Sequence, residues 1–193
     1  MNKSVWIIIV IVVVLGFVSV SKHNSMVFKD EEVVTQWANV ETQYQRRADL
    51  IPNLVNTVKG YASHEKETLE GVIKARAAAT SIKIDASNLT PAMIQQYQSA
   101  QSGITSALSK LLAVSERYPE LKANQNFLEL QAQLEGTENR ISVERRRYNE
   151  IAKDYNVFIR TFPNSLFSAM FGFERRPPFA AESGSEKAPD VQF

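Results

Sequence analysis

The residues best equipped for chemistry are the two histidines and the carboxylates grouped near one of them. His64-Glu65 begins like the H-E-x-x-H pattern, in which two imidazoles one helical turn apart hold zinc and the glutamate acts as general base. Position 68 is Thr, so the second imidazole is missing. The di-iron signature Glu-x-x-His fails too, because Tyr61 stands where a glutamate would precede His64. His23 sits beside a long apolar segment. The chain contains no P-loop, no G-x-S-x-G and no G-x-G-x-x-G. Glu31-Glu32 and Glu65, Glu67 and Glu70 alternate with Lys66 and Lys74, the pattern of a solvated helical face. His64 is therefore read as a surface or satisfied histidine and not as a ligand. With no cysteine, thiolate metal sites, a Cys nucleophile and a disulfide framework are excluded. The expectation is a protein that is not an enzyme and carries neither metal nor cofactor.

Nucleic acid is an equally poor fit. After position 20 the 21 basic residues balance 21 acidic ones, which leaves no electrostatic footprint for a polyanion. The run Arg145-Arg146-Arg147 is local, and neighbouring side chains on a helix point about 100° apart. No nucleic-acid partner is expected.

What could position these residues is set by composition. Seven Gly and seven Pro in 193 residues are about 7% of the chain, against a usual ~12%. That is too little turn chemistry for a sandwich or barrel, and all-α is the economical fold. The hydrophobic residues are unevenly spread. Fifteen lie in the first 20 positions, and the remaining chain is near 40% hydrophobic.

The apolar run is Val5, Trp6, Ile7, Ile8, Ile9, Val10, Ile11, Val12, Val13, Val14, Leu15, Gly16, Phe17, Val18, Ser19 and Val20. Between Lys3 and Lys22 no residue is charged, and 18 residues at 1.5 Å each span ~27 Å against a hydrocarbon core of ~30 Å. This reads as a single-pass anchor over 1–22, with the lipid bilayer as partner. A cleaved signal peptide is the alternative, since Ser19-Val20-Ser21 offers a small-x-small site and Lys3 a positive start. The run outlasts a usual signal h-region of ~7–15 residues, which favours retention. Lys22 and Lys29, followed by Asp30, Glu31 and Glu32, nearly tie with the amino-terminal flank in the positive-inside count. A short tail held in the cytoplasm would put the large domain outside the cell membrane.

Over 27–162 the apolar residues recur in steps of three and four. Val33, Trp37, Val40, Tyr44, Ile51, Leu54, Val58, Tyr61, Leu69 and Val72 form one stripe, which keeps its phase across Pro52. That implies a bend or a very short break at Pro52, not a wide loop. Thr90 reads as N-cap with Pro91 at the first helical position, and Pro119 as the start of the next helix. Ile94, Tyr97, Ile104, Leu108 and Leu111 mark one further helix; Leu130, Leu134, Ile141, Tyr148, Ile151, Tyr155, Phe158 and Phe162 mark the longest. Short connections between such helices predict an antiparallel up-and-down bundle of three to four long helices.

Some stripe positions carry polar residues. Arg47, Glu65, Gln101 and Glu144 fall between apolar members. Because an interior charge must be paired, the spacing predicts a buried polar layer in which Arg47 or Asp49 meets Glu138, Glu144 or Arg145, with Glu65 as a further member. The other reading is that the phase drifts and these side chains reach solvent. The segment 163–193 is expected to be a Phe-rich cap and flexible tail. Leu166, Phe167, Met170, Phe171 and Phe173 surround Gly172 as a patch that must cap the bundle, touch the membrane surface with Arg175 and Arg176 near headgroups, or bind a partner. Arg175-Arg176-Pro177-Pro178-Phe179 and Glu182-Ser183-Gly184-Ser185-Glu186 read as extended or disordered. The ending Val191-Gln192-Phe193 has the weak look of a PDZ ligand.

Tyr44-Gln45-Arg46-Arg47-Ala48-Asp49-Leu50-Ile51-Pro52-Asn53-Leu54-Val55, then Val58-Lys59-Gly60-Tyr61-Ala62 and His64-Glu65, resemble the bacterial LemA family. Leu134-Glu135-Gly136-Thr137-Glu138-Asn139-Arg140-Ile141, Arg145, Tyr148-Asn149, Tyr155-Asn156, Phe162-Pro163 and Phe171-Gly172-Phe173 agree with the same pattern. The resemblance implies a bacterial single-pass membrane protein with an N-terminal anchor and an antiparallel helical bundle. It implies no settled activity and carries no catalytic residues. Some relatives are linked to membrane or organelle organisation, so the expectation is a scaffold or adaptor at the bacterial inner membrane with an unidentified protein partner; the alternatives are a secreted soluble bundle after signal cleavage and an enzyme that uses the polar layer of the bundle.

Overall fold

So few glycines and prolines leave the chain few places to turn, and every regular element among the described residues is helical. The computed structural model describes residues 3–180. Six α-helices follow in order: α1 (Lys3–Tyr61), α2 (Lys66–Ser81), α3 (Pro91–Ser115), α4 (Pro119–Lys122), α5 (Gln125–Arg160) and α6 (Asn164–Phe171), with a 3-10 turn at Ala86–Asn88. The stretch Glu182 to Glu186 and the ending Val191-Gln192-Phe193 lie outside the described residues.

The described chain sorts into two compact units. The first comprises residues 3–47, 85–88 and 135–176, the second 48–84, 89–134 and 177–180.

In the first unit the start of α1 is long and apolar enough to cross a membrane, and none of it is buried by protein. The helix does not break after the apolar stretch. It continues through Lys22, His23 and Asn24, so no linker divides 1–22 from the segment beginning at 27. From Met26 onward one face becomes core: Met26, Val33, Trp37, Val40 and Tyr44 are buried, as are Ile141, Tyr148 and Tyr155 of α5. The Trp37 ring meets Tyr148 edge-on at 5.6 Å. The α5 stripe ends sooner than its sequence pattern suggests. Phe162 lies beyond the helix end at Arg160 and is 76% exposed, while Ala152 and Ile159 fill inward positions.

In the second unit α1 continues through Pro52 in helical conformation. Proline has no N–H to give the carbonyl four residues back, which here is that of Ala48. The Arg76 Nε on α2 donates to this oxygen instead, at 2.7 Å. The freed acceptor is thus satisfied, and the helix has no need to break. The core of this unit gathers Ile51, Leu54 and Val58 with Leu69, Val72, Ile104 and Leu111.

Residues 62–65 separate α1 from α2, so the single stripe from Val33 to Val72 belongs to two helices. Gly60 is a poor helix former and Ser63 competes for backbone groups, which weakens the chain at that point. The next connections follow local turn chemistry. Asp85 Oδ1 accepts from the Ser87 N–H at 2.9 Å and from its hydroxyl at 2.6 Å, and Thr90 Oγ1 accepts from the Met93 N–H at 3.2 Å ahead of Pro91. Pro119 starts only the single turn α4. The long helix α5 begins later, capped by Asn124, whose Oδ1 accepts from the Phe127 N–H at 3.0 Å.

Candidate functional site

The six residues expected to form one polar layer fall in both units. Arg47, Glu138, Glu144 and Arg145 belong to the first, Asp49 and Glu65 to the second.

Arg47 is 2% exposed and its Nη1 reaches Glu138 Oε2 at 2.6 Å. The guanidinium also lies over the Tyr44 ring, one turn earlier on α1, at 5.3 Å. Glu138 is itself half exposed, so the arginine leads from the core to a partly hydrated carboxylate. That geometry lowers the desolvation cost on one partner only. Glu144 does not take Arg47. Its Oε2 accepts from Gln36 Nε2 at 2.7 Å, and Gln36 in turn accepts from Asn39 Nδ2 at 3.1 Å. Arg147 approaches Glu144 at 3.9 Å. Arg145 is half-buried, and Asp49 is on the exposed side of α1.

In the second unit Glu65 is not an α1 stripe residue but the residue just ahead of α2. Its carboxylate pairs with Arg117 Nη2 at 3.0 Å and accepts from the Tyr118 hydroxyl at 3.2 Å. Burial, with the neighbouring Glu65, pushes the Tyr118 phenol up from its ordinary value. Nearby, Asn124 Nδ2 donates to the Tyr61 hydroxyl at 2.9 Å, which ties the α5 cap to the end of α1.

Arg176, which the sequence offered as a headgroup contact beside Arg175, is instead engaged within the first unit. Arg176 Nε and Nη2 donate to Asp30 Oδ1 and Oδ2, both at 2.7 Å, a two-pronged fit of guanidinium to carboxylate. Its Nη1 donates to the Ser87 carbonyl at 2.6 Å. The Asn156 side chain clamps its backbone, accepting from the Arg176 N–H at 2.9 Å and donating to the Arg176 carbonyl at 2.7 Å. One residue thereby fastens the C-terminal segment to α1, the 3-10 turn and α5. Segment 173–180 is extended as expected, but it is held rather than loose: Arg176 is 11% exposed, and Phe179 is buried in the second unit. The hydrogen bond to Asp30 holds the Arg176 guanidinium above its usual range. Burial raises the Tyr148 phenol to about 12 and raises Tyr155 as well. Asp85 is held low by the Ser87 hydrogen bonds.

The Phe-rich patch divides. Phe171 and Phe173 pack edge-on against the His23 imidazole at 4.9 and 5.7 Å, whereas Leu166 and Met170 stay exposed. Beside them a shallow groove runs along α1 from Phe17 to Lys29, bordered by Phe158 of α5. Lys29 Nζ sits 5.4 Å from the Phe158 ring. His64 is exposed. Among the described residues no group of three or more His, Asp and Glu side chains is placed to hold a metal ion. Glu138, Glu144, Glu65 and Asp30 are each engaged by a guanidinium, an amide or a phenol from another element, contacts that fasten elements together.

Among the described residues these features define a helical protein whose longest helix opens with an exposed apolar stretch of membrane-crossing length. The LemA family model matches residues 36–193, and the chain belongs to the LemA family. It is 27% identical over 146 residues to Protein LemA of Metamycoplasma hominis, covering 76% of this chain and 63% of that protein. It is 24% identical over 195 residues to Magnetosome protein MamQ 2 of Paramagnetospirillum magneticum, covering 89% of this chain and 70% of the relative. Magnetosome protein MamQ of Magnetospirillum gryphiswaldense matches at 24% identity over 80% of this chain and 63% of its own length. The chain thus spans about two thirds of the relatives it matches.

Proposed function

We propose that this LemA family protein is a membrane-anchored scaffold or adaptor without catalysis of its own. The observation that carries the reading is α1, which passes without a break from an exposed apolar stretch into a packed unit. A helix embedded in lipid at one end and in core at the other fixes the attached unit near the bilayer. The short connections between helices favour an antiparallel, up-and-down arrangement within the units. Resemblance to proteins named for the magnetosome is in keeping with an organising role at a membrane. The proposed location is the bacterial inner membrane, with the helical units on the extracytoplasmic side.

Crosslinking in intact membranes, read by mass spectrometry, tests the scaffold reading: a reproducible protein partner or self-contact is expected, and none at all contradicts it. Sidedness is read separately. The chain lacks cysteine, so a Lys74→Cys variant carries a single thiol. A membrane-impermeant maleimide should label it in intact spheroplasts; labelling only after lysis places the units in the cytoplasm.

A further inference from the structure

The uncharged eight-residue helix α6, Asn164–Phe171, has two dissimilar faces. Phe167 and Phe171, one turn apart, stack at 6.4 Å, and Phe171 rests on His23. Gly172 adopts the left-handed conformation at φ 77°, and the Phe173 N–H closes the helix on the Ser168 carbonyl at 3.0 Å. That reversal delivers Phe173 to the same imidazole. Asn164 Nδ2 donates to the Phe158 carbonyl at 3.0 Å and Ser168 Oγ to the Ile159 carbonyl at 2.9 Å, which fix α6 against the end of α5. The other face carries Leu166 and Met170, one turn apart and 63% and 61% exposed, with Phe162 close in sequence at 76%.

The depth of this face follows from α1. His23 is three residues past Val20, the last apolar residue of the spanning stretch, hence ~4.5 Å further along the helix axis. The headgroup layer on each side of a bilayer is ~5–8 Å thick. The aromatic seat of α6 is therefore at headgroup level, where exposed Leu and Met side chains meet acyl chains and not bulk water. Arg176 takes no part, since Asp30 and Ser87 occupy it.

We propose that the Leu166–Met170 face of α6 lies on the bilayer surface beside the point where α1 leaves the membrane, giving the protein a second, interfacial lipid contact. This rests on the reading of Val5–Val20 as a membrane anchor. It adds a second point of attachment, beside the unbroken α1, that sets how the first unit faces the membrane.

The full chain, reconstituted in phosphatidylethanolamine–phosphatidylglycerol vesicles, tests both levels separately. Single variants Leu166→Cys, Met170→Cys, Ile11→Cys and Arg140→Cys carry a polarity-sensitive dye, and lipids bearing nitroxide in the headgroup, shallow in the acyl chain or deep in it quench that dye. Arg140 is exposed on α5, 18 residues or ~27 Å from Phe158, and serves as the aqueous control. Quenching of Ile11→Cys by deep nitroxide and of Leu166→Cys and Met170→Cys by headgroup or shallow nitroxide, several-fold above the control, is expected. If Ile11→Cys is quenched but positions 166 and 170 match the control, the interfacial contact is wrong and the anchor stands. If the dye at those two positions is unquenched and the unlabelled Cys variants, treated with a bismaleimide, crosslink between copies, the face is a self-contact, which also overturns the proposal. Absence of quenching at Ile11→Cys overturns the anchor and the proposal with it.

Discussion

Replacing Arg76 by Met removes the donor that completes α1 at Pro52 while keeping most of the aliphatic stem. Ala48 is 2% exposed, and its carbonyl has no N–H at position 52 to receive. A buried acceptor left without a partner costs ~1–3 kcal/mol, and hydrogen bonds from charged donors lie at the upper end. At about 2 kcal/mol, and with a urea dependence of about 2 kcal/mol per molar, the unfolding midpoint falls by about 1 M. The second arm is Pro52→Ala, which restores the missing N–H and removes a helix-interior proline penalised by ~3 kcal/mol relative to Ala. In that background Arg76→Met should cost clearly less, with a coupling energy of ~1 kcal/mol or more. Urea unfolding of the full chain in detergent, followed by far-ultraviolet circular dichroism, gives all four stabilities. Equal cost of Arg76→Met in both backgrounds would refute the link between the arginine and the proline.

Arg176→Met should destabilise the first unit by about 2 to 3 kcal/mol, below the ~3–5 of a fully buried pair because Asp30 keeps some solvent contact. Trp37 fluorescence in a Trp6→Phe background reports it. For Arg47→Met and Glu138→Leu, a double-mutant cycle should give a coupling of about 1 kcal/mol, modest because Glu138 is half exposed; a value near zero removes the pair from the account. Stability should be level between neutral pH and 10, and above 10 it should fall. The unfolded Tyr148 phenol ionises at its ordinary value of 10.0 while the folded one resists to about 12, so ionisation between these values favours unfolding by roughly 3 kcal/mol in all. A Tyr148→Phe variant measured over the same range should lose the Tyr148 share of that slope and keep the share of the raised Tyr155 phenol.

Local chemistry was legible in the sequence, and contacts between distant segments were not. Val5 to Val20 announces itself because charge is absent over a fixed length, and Thr90-Pro91 because cap and proline act within one turn. The stop at Tyr61 was hidden because four intervening residues leave Leu69 and Val72 nearly in phase with the α1 stripe. Periodicity gives the face of a helix and not the height of its partner. Arg47 could be assigned inward, but Glu138 and Glu144 lie nearly two turns apart on α5, and only the packing shows that the first takes Arg47 and the second Gln36. Glu65 departed from the layer because the chain turns just before it and aims it at Arg117 and Tyr118. Asp30 and Arg176 are 146 residues apart and carry no local mark of their pairing. Pro52 held a usable clue: a proline inside an unbroken stripe leaves one carbonyl needing an outside donor, and Arg76 is that donor.

Alkaline carbonate extraction of cells expressing the full chain decides whether the apolar start of α1 is held in lipid. Carbonate strips proteins held by charge or by contacts with other proteins but leaves a lipid-spanning helix in place. The expected result is the intact chain, still beginning at Met1, in the membrane pellet. Recovery in the supernatant, or a mature chain cut after Ser21, would contradict it.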